Sequence, residues 1–128
     1  MASDETARKV VVAIAAGRIL IGAGALLATR PALRVLGFPG TDTSGHALAR
    51  LAGGRDIALG ALTLAARDDT PALRAMTLAA VAVDATDALT LGLAGQRHAE
   101  LRLAGIGAVA SGGSAALAGT WAWRQLKT

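Results

Sequence analysis

Apolar residues along this chain gather into four long runs separated by short polar breaks. The first, about residues 10–29, spans roughly 20 residues, which at about 1.5 Å each matches a hydrocarbon layer of about 30 Å. Arg30-Pro31 closes it. Residues 31–44 then alternate Leu33, Val35, Leu36 and Phe38 with Arg34 before Pro39-Gly40, which predicts a short interfacial turn of helix, a break, and an N-cap among Asp42-Thr43-Ser44. The second run, about residues 45–66, carries Arg50, Arg55 and Asp56 and is the least apolar of the four. Arg67-Asp68-Asp69-Thr70-Pro71 predicts a helical hairpin, with Thr70 as cap and Pro71 at the first helical position, where its missing N–H costs nothing. The third run, about residues 72–93, contains Asp84 and Asp87 and ends at Gly95-Gln96-Arg97-His98. In the fourth, about residues 101–123, 21 uncharged residues separate Arg102 from Arg124, and Trp121 and Trp123 stand where an aromatic belt meets the water interface. The pattern predicts a single all-α integral membrane domain over residues 1–128, a four-transmembrane-helix antiparallel bundle.

Composition strengthens that placement. The chain is 53% hydrophobic with a mean hydropathy of +0.49, more than one soluble core of this size needs. Its only aromatic residues are Phe38, Trp121 and Trp123, so the apolar content is nearly all Ala, Leu, Val, Ile and Gly, the residues of closely packed membrane helices. Gly105, Gly112 and Gly119 recur every seven residues, and Gly53 and Gly60 form a similar stripe with Asp56 and Thr63 on the second run. With no Cys, disulfides, thiolate metal sites and cysteine catalysis are excluded.

The net charge of +4 does not indicate nucleic acid, because the thirteen Lys and Arg residues are spread along the chain and several lie inside apolar runs. The lipid bilayer is the expected partner, with anionic headgroups against the flanking Arg residues. Arg8, Lys9, Arg67, Arg74, Arg124 and Lys127 on one side outnumber Arg30, Arg34, Arg97 and Arg102 on the other, which favours a multi-pass protein of the cell membrane with both termini cytoplasmic. Arg18 interrupts the first run, so that run is not expected to be a cleaved leader.

The chemistry sits in the middle of the runs. Arg18, Arg55, Asp56, Asp84 and Asp87 occupy central positions on three helices, where an ionised side chain facing lipid costs about 2.5 to 3.5 kcal/mol. They are therefore expected to face one another as an intramembrane charge cluster, with Arg50 a candidate sixth member. Asp84 and Asp87 share a helix face, and the small residues of the Gly53/Gly60 stripe would admit a neighbour close enough for an Arg fork to grip a carboxylate. No other candidate survives. Gly22-Ala23-Gly24 lacks the strand and third glycine of a phosphate cradle, His46 and His98 lack companion metal ligands, and Ser111 and Ser114 lack a His. No catalytic site, metal or cofactor is expected.

Gly17-Arg18 in the run ending at Pro31, the stretch Ala52-Gly53-Gly54-Arg55-Asp56-Ile57-Ala58-Leu59-Gly60, and the helix bearing Asp84 and Asp87 together resemble a family of small four-span membrane proteins catalogued as a domain of unknown function (number 4267). That resemblance implies a fold and no activity. The Asp84-x-x-Asp87 spacing is also similar to that of lipid-linked alcohol phosphotransferases, which continue with a Gly, an Ala-Arg step and further Asp residues that this chain lacks. Two uses of the cluster follow. One is structural: paired charges hold the helices in register in a self-associating protein or an accessory subunit of a membrane complex. The other is a proton-coupled small transporter or channel in which Asp84 and Asp87 take up protons.

Overall fold

The computed structural model describes residues 2–40 and 42–127, and each apolar run folds into a long helix. The chain is all-α, with no strand among the described residues. Helix α1, Ala2–Leu27, begins well before its apolar run, because the polar first turns are helical themselves. Asp4 and Glu5 sit at its positive end and pair one turn on, Asp4 with Arg8 at 3.1 Å and Glu5 with Lys9 at 2.7 Å.

Helix α2, Thr29–Val35, is the short element expected after the first run. Gly37 ends it with a φ of +82°, the left-handed conformation that a Cβ disfavours. The Gly37 N–H then donates to Arg34 O at 3.1 Å and the Phe38 N–H to Leu33 O at 2.9 Å, a Schellman closure.

Helix α3, Thr43–Ala65, starts on Asp42, whose carboxylate accepts the Gly45 N–H at 2.8 Å. Helix α4 covers Thr70–Arg97, ending within the expected Gly95–His98 stretch and differing from expectation at its start. Asp69, not Thr70, is the cap, accepting the Ala72 N–H at 3.0 Å. Thr70 instead accepts a hydrogen bond from Arg8 at 2.5 Å, and Arg8 also donates to Arg67 O at 2.8 Å, so α1 clamps the α3–α4 turn. At the far end Gly95 is still helical and lies against Gly105 of the next helix. A 3-10 turn, Ala99–Leu101, leads into α5, Arg102–Gln125.

Glycine decides how these helices pair. A Cβ on Gly53 would lie 2.8 Å from Gly22 O, and one on Gly60 2.6 Å from Ala15 O, so α1 and α3 touch backbone to backbone. The same holds for α4 and α5: a Cβ on Gly105 would lie 2.7 Å from Leu91 O, one on Gly112 3.1 Å from Asp84 O, and one on Gly119 2.6 Å from Val81 Cγ2. The result is two antiparallel pairs, α1 with α3 and α4 with α5, joined between α1 and α5 and touching only slightly between α3 and α4. At the joined end Ala7, Val11, Leu73, Ala122 and Leu126 form the buried apolar core. Arg74 holds that end shut, stacking 4.7 Å from the Trp123 ring and donating to Trp123 O at 2.8 Å and to Leu126 O.

Three segments are long and apolar enough to cross a membrane: Ser3–Leu27, Thr70–Arg97 and Ala99–Gln125. Helix α3 is not among them, since Arg50, Arg55 and Asp56 fall within its 23 residues. The four-span expectation is thus met by three helices on their own composition. Large apolar side chains cover the outside, with Leu27, Leu51 and Leu117 each more than 70% exposed. A water-soluble protein of this size would bury such a surface; a membrane protein presents it to lipid.

Because Gly60 meets main chain and Gly54 has nothing within 4 Å, alanine at these two positions separates packing from helix propensity. Gly60→Ala is expected to lower unfolding stability in detergent by about 1 to 3 kcal/mol. Gly54→Ala should leave it unchanged or higher. Equal behaviour of the two in a denaturant titration contradicts close α1–α3 packing.

Candidate functional site

The charged side chains of the run centres come together as an alternating series. Arg18 on α1 reaches Asp84 on α4 with Nη2 at 2.5 Å and Asp56 on α3 with Nη1 at 3.1 Å. Asp56 Oδ1 also takes Arg55 Nη2 at 3.4 Å, and Arg55 grips both oxygens of Asp87, at 3.2 and 2.6 Å. The order is Asp84, Arg18, Asp56, Arg55, Asp87: three carboxylates and two guanidinium groups on three helices. Each cation lies between two anions, the cheapest arrangement of charge where water is scarce.

Burial falls along the series. The Arg18 side chain is 8% exposed, Asp84 14% and Asp56 18%, whereas Arg55 and Asp87 reach 38% and 40%. One end is thus sealed among four helices and the other opens into the cleft between α3 and α4. Arg18 Nη2 also donates to Ala80 O at 3.1 Å, a main-chain acceptor that no sequence pattern marks. A cavity of about 20 Å³ adjoins Arg18 and Asp84, walled by Thr63, Thr77, Ala115 and Gly119 among others, with room for about one water. The hydroxyls of Thr63 and Thr77 donate to the preceding turn, at 2.7 Å each, which leaves their lone pairs available. The Nε groups of Arg18 and Arg55 have no hydrogen-bond acceptor among the described residues.

Arg50 stays outside: it is exposed and makes no ion pair among the described residues. It lies nearer the start of α3, within reach of an interface for a long side chain. The Gly53/Gly60 stripe also turns a different way from the sequence expectation. It faces α1, so it brings Asp56 to Arg18, while the bidentate grip is made by Arg55 across the looser α3–α4 cleft. Gly105, Gly112 and Gly119 all face α4. Gly22, Gly92 and Gly95 join the contacts without having been singled out as a stripe, since their spacing is irregular. Ser111 and Ser114 both donate to the carbonyl one turn back, at 2.6 and 2.5 Å.

An all-α chain with an apolar exterior, three span-length segments and an interior ionic series defines a small membrane protein. It belongs to the family described as a domain of unknown function (DUF4267), which matches residues 15–124 and so takes in every member of the ionic series. No curated protein and no solved structure matches the chain.

The gradient in burial sets an order of mutational cost. Arg18→Gln strands Asp84 in the interior, leaves Asp56 with only Arg55 at 3.4 Å, and should cost about 3 to 5 kcal/mol. Arg55→Gln, at the open end, is expected to cost less than half as much. Reversible unfolding in mixed detergent measures both, and an equal or reversed order contradicts the geometry.

Proposed function

We propose that this chain is a non-catalytic, multi-pass protein of the cell membrane that crosses the bilayer four times and associates with a second copy of itself. In this reading α3 is the fourth span. Its three charges are tolerated because Asp56 and Arg55 are neutralised by partners on α1 and α4, and Arg50 extends toward the headgroups. Both termini lie in the cytoplasm, as the Lys and Arg balance favours.

The observation that supports self-association is the open end of the ionic series. Arg55 and Asp87 are each about two-fifths exposed, and the α3 surface around them carries Leu48, Leu51, Ala58 and Leu62, all exposed. In a lone copy, hydrocarbon would lie against two ionised groups. A partner laid across the cleft covers them and buries the surrounding leucines, a polar centre within an apolar rim that also fixes register. The neighbouring reading, an accessory subunit, uses the same face for a different membrane protein.

A second reading draws on the cavity beside Asp84. A proton-coupled transporter would use Asp84 and Asp87 as the groups that exchange protons, with the pathway completed by more than one copy.

Subunit counting by single-molecule photobleaching in lipid nanodiscs distinguishes these. Wild type is expected to be dimeric, and Ala58→Trp, which adds bulk to the exposed face, to be monomeric yet folded. A wild-type monomer with no companion protein contradicts self-association. Proton flux in liposomes that Asp84→Asn abolishes without unfolding would favour the transporter.

A further inference from the structure

Far from the joined core, an open groove of about 650 Å³ lies along α4 and α5 beside the Gly95–Gly105 contact. Its size is that of small-molecule sites, commonly about 300 to 1,000 Å³. Gly92, Gly95 and Gly105 line it where the two helices meet, while Ile106, Val109 and Ala110 supply an apolar wall. Two polar side chains, Gln96 and Arg102, line it as well. Arg102 is the first residue of α5, so the groove runs from the headgroup level into the apolar layer, about 12 Å over the eight residues to Ala110.

Charge at this end is unbalanced. Arg30, Arg34, Arg97 and Arg102 are exposed and form no ion pair among the described residues. Of the acids here, Asp42 caps α3 and Glu100 lies 3.9 Å from His98. At the opposite end Arg8, Lys9 and Arg67 are each paired with a nearby acid, while Arg124 and Lys127 are exposed and, like the groove-end arginines, form no ion pair among the described residues. A cationic mouth over an apolar, glycine-floored slot has the polarity of a lipid: anionic head and hydrocarbon tail.

We propose that this groove binds one anionic glycerophospholipid, with the phosphate on Arg102 and Gln96 and one acyl chain laid along Gly92, Ile106 and Val109. The guanidinium offers a forked pair of donors to the phosphate oxygens and the Gln96 amide a third. The acyl chain lies over the close Gly95–Gly105 contact, where a Cβ on either glycine would meet the neighbouring helix, and leaves that contact unchanged. The proposal rests on the membrane placement of the chain and is independent of self-association.

The test is native mass spectrometry of the full chain in mild detergent, offered equal amounts of phosphatidylglycerol and phosphatidylcholine. Wild type should retain one phosphatidylglycerol in preference to phosphatidylcholine. Arg102→Gln should lower phosphatidylglycerol retention about tenfold, the loss of a charge-assisted hydrogen bond, with unchanged melting. Ala110→Phe, which occupies the exposed wall of the groove, should remove both lipids, and Arg124→Gln at the other end should change nothing. Inorganic phosphate at millimolar concentration should not displace the lipid. Equal retention of the two lipids by wild type, unchanged retention in both groove variants, or displacement by phosphate overturns the assignment. Recovery of the chain from the aqueous fraction without detergent would instead contradict the membrane placement itself.

Discussion

Ionised side chains in an apolar interior must find counter-charges within the protein, and in this chain that requirement ties three helices to one another. Arg18 is the pivot: it is nearly sealed from the surface, it extends from α1, and its guanidinium spans Asp56 of α3 and Asp84 of α4. With the Arg55–Asp87 pair, those contacts hold the cleft between α3 and α4, two helices that otherwise touch only slightly. The glycine contacts bring backbones close but specify little about rotation or register, whereas a guanidinium between two carboxylates tolerates only small displacements. Close packing supplies proximity and the ionic series supplies order.

Stability is distributed unevenly as a consequence. At the end holding the termini, Leu73 and Leu126 are fully buried, and Arg8 and Arg74 link neighbouring elements. The other end has small residues, an open groove and exposed arginines. The first end resembles a fastened joint and the second a surface that meets lipid. A protein so divided opens more readily where apolar contacts are few.

Much of this was legible in the sequence for a definite reason. A charge in the middle of some twenty apolar residues has no solvated explanation, so Arg18, Arg55, Asp56, Asp84 and Asp87 stood out, and the structure brings all five together. Helix ends were readable to within a residue where an Asp caps, at Asp42 and Asp69, and α4 ends at Arg97, inside the Gly95–His98 stretch read as its stop. Which helix faces which was not legible. Ala/Gly-rich helices that are apolar all round carry almost no directional signal, so nothing marked the Gly53/Gly60 stripe as facing α1 instead of α4. Arg50 misled for a similar reason: its position along the helix was apparent, its rotation about the axis was not.

The account depends on α3 lying in the bilayer despite its charges. Nitroxide labels placed singly at Leu48, Leu51, Ala58 and Leu62, all on its exposed surface, report depth through collision with oxygen and with a water-soluble nickel complex. In lipid vesicles, oxygen contact should be greatest and nickel contact least at Leu51 and Ala58, on either side of the ionic series, with the gradient reversing toward both ends of the helix. Strong nickel contact throughout, with no minimum, would mean that α3 lies in water and that the paired charges are not held within the membrane.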